Sequence, residues 1–142
     1  MKFFIGSLSF FIRHIAEVES LDADALEERL IDFAVRIIKL ADALPESPAG
    51  KHIGRQLLRC GTSPAPNYAE ARGAESRADF VHKLKIANKE LNETCVWLRM
   101  ICRAEMMPET RVLGLIDENQ QLARILNATI TTTKNNQMKS KS

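Results

Sequence analysis

Apolar residues recur along this chain at alternating steps of four and three, the spacing that lines up side chains on one face of an α-helix. Leu26, Leu30, Phe33, Ile37, Leu40 and Leu44 make the first stripe. Ile31, Ala34, Ile38 and Ala41 widen it beyond a coiled-coil seam, so this helix is expected to bury a broad face against more than one neighbour. Asp24 and Glu27 stand at capping-box spacing ahead of the stripe, and Pro45 ends it.

A second pattern opens at Ser47 and Pro48, a favourable N-cap and first-turn pair, and turns Ile53, Leu57 and Cys60 inward. Pro64 and Pro66 then remove two helical N–H donors, at about 3 kcal/mol each in an unbroken helix. A kink near Gly61 to Pro66 is expected, with Gly61 absorbing the bend, Thr62 and Ser63 bonding freed backbone groups, and Pro64 opening a restarted helix that runs to about Gly73. A phosphate-cradling loop is disfavoured, because no strand precedes the segment and no GxxxxGK pattern occurs.

The third pattern is the most regular: Ser76 and Asp79 at capping-box spacing, then Phe80, Leu84, Ala87, Leu91, Thr94, Leu98 and Ile101. Trp97 and Ile86 fall beside that stripe, and such a tryptophan is either a wide-core residue or a subunit-contact anchor. A fourth helix beginning near Pro108 carries Val112, Leu115, Leu122, Leu126 and Ile130, with Asn119 and Thr129 as polar interruptions that fix register. Short connections favour antiparallel neighbours, so the predicted fold is all-α, an up-down-up-down four-helix bundle. Its expected limits are residues 22–134, preceded by an apolar extension over 1–21 that could form a short helix and followed by a disordered basic tail over 135–142.

Size and composition agree with one such domain. A chain of 142 residues buries roughly two-thirds of the surface its unfolded form exposes. With 45% hydrophobic, 27% charged and 6% aromatic residues, it suits a helical globular protein better than a disordered or membrane-embedded one. Cys60, Cys95 and Cys102 form no CxxC pair and lie inside helical patterns, which predicts reduced thiols and a cytoplasmic protein. The start, MKFFIGSLSFFIRHIAEVE, resembles a signal peptide in its Lys2 and apolar run, but Arg13 and His14 end the run with no small-x-small site behind it. The run is also too short for a membrane span. A short interfacial helix, a hydrophobic arm packing on the bundle and an upstream extension of the reading frame with little role are the alternatives.

Catalytic and metal signatures are sparse. A di-metal bundle needs Glu-x-x-His on two helices plus two more glutamates, and the nearest approach is the single Asp79-x-x-His82 pair. His14, His52 and His82 are scattered, the cysteines lack zinc spacing, and no Gly-x-Ser-x-Gly elbow appears. Glu90 and Glu93 read as helix-surface charges. The reading is a protein with no catalytic residues, no metal and no cofactor.

Charge is what rises above this background. The formal net charge is only +2, yet the first helix is acidic while the span from Lys51 to Lys89 is basic. Lys51, Arg55 and Arg59 recur every four residues opposite the apolar stripe of the second helix, and Lys85 and Lys89 do so on the third. On adjacent helices these five cations make a surface for RNA or DNA phosphates. The competing readings are a solvated face paired with acidic residues of the first helix or of another subunit, and an adaptor that binds another protein without nucleic acid.

The stretch from Gly50 to Leu98 also resembles the ribosomal-RNA intervening-sequence proteins, small four-helix bundles encoded within insertions of bacterial large-subunit ribosomal RNA genes and elsewhere. The similarity covers about residues 26 to 134. It is most specific in the RQLLRxGTS run from Arg55 to Ser63, in Asn67-Tyr68-x-Glu70-Ala71, and in Glu75-Ser76-Arg77-Ala78-Asp79-Phe80. The resemblance implies a left-handed bundle assembled as a homopentamer, with activity mostly unassigned. A related branch, the accessory variability protein of diversity-generating retroelements, implies a basic pentameric barrel that binds nucleic acid and a partner reverse transcriptase. Pro64 and Pro66 depart from the usual family pattern and imply a sharper kink. Asn67 and Glu70, one turn apart, are positioned either to satisfy backbone groups freed by the prolines or to bond across a subunit contact, and the first role is preferred.

Overall fold

Ser47 and Ser76 each start a helix as their side chains dictate: the Oγ of Ser47 accepts from the N–H of Gly50, and that of Ser76 from the N–H of Asp79, both at 3.1 Å. In the computed structural model, which describes residues 2–141, five helices result: α1 (Lys2–Ala43), α2 (Pro48–Thr62), α3 (Pro64–Arg72), α4 (Arg77–Arg103) and α5 (Glu109–Lys139). α2 and α3 are the two halves of one rod, so the architecture is an all-α, antiparallel four-helix bundle. Around its perimeter α1 packs on α2 and α3, these on α4, α4 on α5, and α5 returns to α1. Among the described residues α1 and α4 make no close contact, which sets them across one diagonal.

The predicted stripes are the core. Leu30, Phe33 and Ile37 from α1 meet Leu57 from α2, Leu84, Leu91, Leu98 and Ile101 from α4, and Val112, Leu122 and Leu126 from α5. Asn119 is buried too, and its Nδ2 donates to the backbone carbonyl of Leu91 at 3.0 Å, fixing the register of α5 on α4. The broad α1 face is narrower than expected: Ala34 is buried, but Ile31, Val35 and Ile38 point away from the core and stay exposed.

The rod breaks at Ser63, and the bend is built differently from the expectation. Gly61 is an ordinary helical residue; a Cβ there would lie 2.6 Å from Cγ2 of Ile37, so its use is to let α1 and α2 approach. The break comes from the prolines, with Pro64 at the first position of α3. Thr62 Oγ1 bonds the carbonyl of Leu58 at 2.6 Å, and Asn67 Nδ2 bonds the carbonyl and Oγ of Ser63 at 3.0 and 2.8 Å.

Two boundaries differ from the sequence reading. Asp24 and Glu27 cap no helix, because α1 runs continuously from Lys2 and makes residues 2–21 its first half. α5 likewise continues to Lys139, past the last apolar position of its stripe, since adding residues to an existing helix costs far less than nucleating one. The α4–α5 turn is a Schellman motif: Met106 N–H bonds the carbonyl of Ile101 and Glu105 N–H that of Cys102, each at 3.1 Å, with Glu105 in the left-handed region at φ 53°.

Candidate nucleic-acid interface

α2 presents Lys51, Arg55 and Arg59 on its outer side because its inner side is taken by Leu57 and Cys60. Arg59 leans onto α4, where Nη1 bonds Glu90 at 3.3 Å and Nη2 bonds Glu93 at closer range. Glu93 also accepts from the Trp97 indole N–H at 3.3 Å, and Trp97 meets the ring of His52 edge-on at 6.0 Å. These contacts form a polar seam joining α2 to α4. The bond from Arg59 holds the Glu93 carboxyl below the usual carboxylate range. Arg59 is thus largely neutralised within the chain, and Trp97 packs between helices against the core.

Lys51 reaches Glu46 only loosely, at 3.8 Å with both side chains well exposed, an arrangement that contributes little. Arg55, Lys85 and Lys89 enter none of the ion pairs among the described residues, although Lys89 lies near enough to Glu93 to act on its charge. The pKa of Lys134 of α5 is lowered, first by a side-chain hydrogen bond with Lys85 and then by the positive charge of that lysine. Lys85 and Lys89 share the solvent side of α4, with Lys134 beside them across the seam to α5. Nearby in the same seam Asn88 Nδ2 donates to Asn127 Oδ1 at 2.7 Å.

Asn67 and Glu70 serve separate ends of the break: Asn67 closes it, whereas Glu70 pairs with Lys83 of α4 at 2.7 Å. Arg72 ties α3 to Asp24 and Glu27 of α1, at 2.6 Å each, and Arg29 ties α1 to Glu118 and Gln121 of α5. The acidic first helix therefore does pair with basic residues, but with Arg72 rather than with the proposed surface. Lys134 is a cation acting on Lys85 that sequence reasoning missed, whereas Lys51 and Arg55 lie level with Trp97, toward the other end of α4. The sequence carried no signal for Lys134, because it lies in the stretch beyond Thr133 that lacks apolar periodicity.

Among the described residues no group of His, Cys, Asp and Glu is arranged to hold a metal, and no helix is long and apolar enough to cross a membrane. The family model of the 23S rRNA-intervening sequence protein matches residues 26–128. The chain belongs to that family. A crystal structure of a protein of unknown function from the S23 ribosomal protein family of Bacteroides thetaiotaomicron is similar to it, with 35% identity and a TM-score of 0.70 over 74% of this chain and 97% of that one. No curated protein matches the sequence. The matched span of this intervening-sequence protein covers the bundle from Leu26 into α5 and leaves the first half of α1 outside.

Proposed function

We propose that this intervening-sequence protein is a non-enzymatic, cytoplasmic accessory or scaffold protein that forms a homo-oligomer, of five subunits as the resemblance implies, and holds RNA or DNA phosphates without sequence specificity. The contacting groups are Lys51, Arg55, Lys85 and Lys89, now joined by Lys134, while Arg59 anchors α2 to α4 beside them. The observation that carries this reading is that Arg55, Lys85 and Lys89 enter none of the ion pairs among the described residues, while Lys85 acts on Lys134 of the neighbouring helix as a like charge. Such a pair is unfavourable in the isolated protein and is relieved by a phosphate lying across it. Repetition around an oligomer turns a weak patch into an avid one, which a monomer with a net charge of +2 does not offer.

The test is binding to generic RNA and duplex DNA across a salt series. The reading requires log affinity to fall with log salt, by about 0.9 for each phosphate contacted on duplex DNA. The triple variant R55E/K85E/K134E should lose most of that slope while keeping its assembly state. Absent or salt-insensitive binding by a correctly assembled protein refutes the reading and leaves the adaptor role. A reverse transcriptase is a second partner to test by co-purification.

A further inference from the structure

Residues of α1, α3, α4 and α5 converge on a cleft at the end of the bundle where α4 begins. α1 and α5 pack sparsely on each other, in contrast to the close packing of α4 on α5, and the cleft opens beside that loose seam. Its volume is about 660 Å³, within the range of clefts that hold small organic ligands. Leu26, Phe80 and Ile125 give it apolar walls, and each is only partly buried by the fold.

Tyr68 of α3 also lines the cleft, although it is only 5% exposed. Its hydroxyl enters no hydrogen bond among the described residues. Nor is that hydroxyl sealed in the core: among the described residues Asn88 Oδ1 is the one side-chain N or O atom that is both shut off from solvent and unbonded. The free hydroxyl of Tyr68 therefore opens into the cleft. The threonine hydroxyls there are already used, Thr129 donating to the carbonyl of Ile125 at 2.9 Å and Thr133 to that of Thr129 at 2.8 Å.

Charge around the cleft is balanced. Arg29 and Arg72 line it, with exposed Asp22 on the same rim. Arg29 is held by Glu118, and Arg72 by Asp24 and Glu27. An anion entering here would meet these carboxylates and a cation the two guanidiniums, so neither sign finds an unopposed partner. An uncharged head group avoids both costs and leaves the Tyr68 hydroxyl as the available bonding group.

We infer that this cleft binds a small uncharged ligand, an apolar body carrying one hydrogen-bonding oxygen that accepts from the Tyr68 hydroxyl while the body lies against Leu26, Phe80 and Ile125. The ligand gains apolar burial and one hydrogen bond without desolvating a charge. The site is independent of the phosphate-binding and homo-oligomer readings.

The experiment titrates the full chain with three probes of matched chain length, octanamide, octanoate and octylammonium, followed by two-dimensional NMR. Octanamide should shift the signals of Tyr68, Phe80 and Ile125 and bind about tenfold tighter than either charged probe, whose head group must be desolvated. Tyr68→Phe removes the hydroxyl alone, so it should bind octanamide about three- to tenfold more weakly while the ligand-free melting temperature stays unchanged. Ala25→Phe, at an exposed position on the rim, should fill the cleft and abolish binding. Equal or tighter binding of a charged probe overturns the uncharged-ligand assignment. Unweakened binding by Tyr68→Phe, or a lowered melting temperature without ligand, overturns the role of the hydroxyl, and no binding of any probe up to its solubility limit overturns the site.

Discussion

Replacing Gly61 by Ala is a decisive perturbation because two effects of known size oppose each other there. Alanine gains about 0.8–1.0 kcal/mol of helix propensity over glycine. The new methyl, however, would stand 2.6 Å from Cγ2 and 3.0 Å from Cγ1 of Ile37. Ile37 is fully buried at 0% exposure and stiff about χ1 as a β-branched residue, so α1 and α2 must separate. Overpacking of this kind costs about 1–3 kcal/mol, and with two close contacts the upper part of that range applies, leaving a net loss of about 1–2 kcal/mol. Gly54, two turns earlier in α2, is the control: a Cβ there meets only the Ala41 carbonyl and Leu44 Cδ1, both at 3.7 Å. Gly54→Ala should therefore stabilise by about 0.5–1 kcal/mol. The assay is urea unfolding followed by circular dichroism at one fixed protein concentration, since assembly shifts apparent stability, with unchanged m-values required for the comparison. A Gly61→Ala protein as stable as Gly54→Ala would refute the claim that the missing Cβ sets the α1–α2 approach.

Glu105→Gly should stabilise by about 1 kcal/mol in the same assay, because it removes the cost of a side chain in the left-handed conformation of the α4–α5 turn. Glu93→Gln should lower stability at neutral pH. The Glu93 pKa is depressed in the fold, so its contribution is present above the unfolded value of about 4.3 and is lost as pH falls through the folded value; the gap between the two proteins should close in acid titrations. Lys85→Gln should return Lys134 to the ordinary lysine range, an upward shift visible by NMR titration, and no shift would show that the two do not interact. Cys60 is fully buried and burial pushes its thiol pKa up, so its labelling rate should follow unfolding in urea, with labelling in the native state counting against the packing described.

The parts of the fold legible in the sequence are those governed by a single helix. Periodicity located the core stripes of α1, α2, α4 and α5, though not Ala65, Tyr68 and Ala71 of α3, and serine chemistry located two helix starts, because both depend on residues within one or two turns. Gly61 was misread because its reason lies in another helix: its own neighbours suggest a hinge, and only Ile37 shows a close approach. Asp24 and Glu27 have the spacing of a cap, but their partner is Arg72, 48 and 45 residues away. The charge surface was half legible for the same cause. Spacing put Lys51, Arg55 and Arg59 on one face, yet only the packing of α2 on α4 reveals that Arg59 is spent on Glu90 and Glu93. Lys134, by contrast, acts on Lys85 from a segment that had looked featureless.

The bidentate grip of Arg29 on Glu118 joins residues 89 apart in the sequence, whereas most other helix pairings are between consecutive rods. Proteins dominated by such local pairings fold quickly. During synthesis the first three rods can therefore collapse while α5 is still inside the ribosome, and closing α5 onto α1 becomes the final, committing event. Trapping nascent chains at successive lengths would place cooperative protection from proteolysis at the emergence of the residues around Glu118.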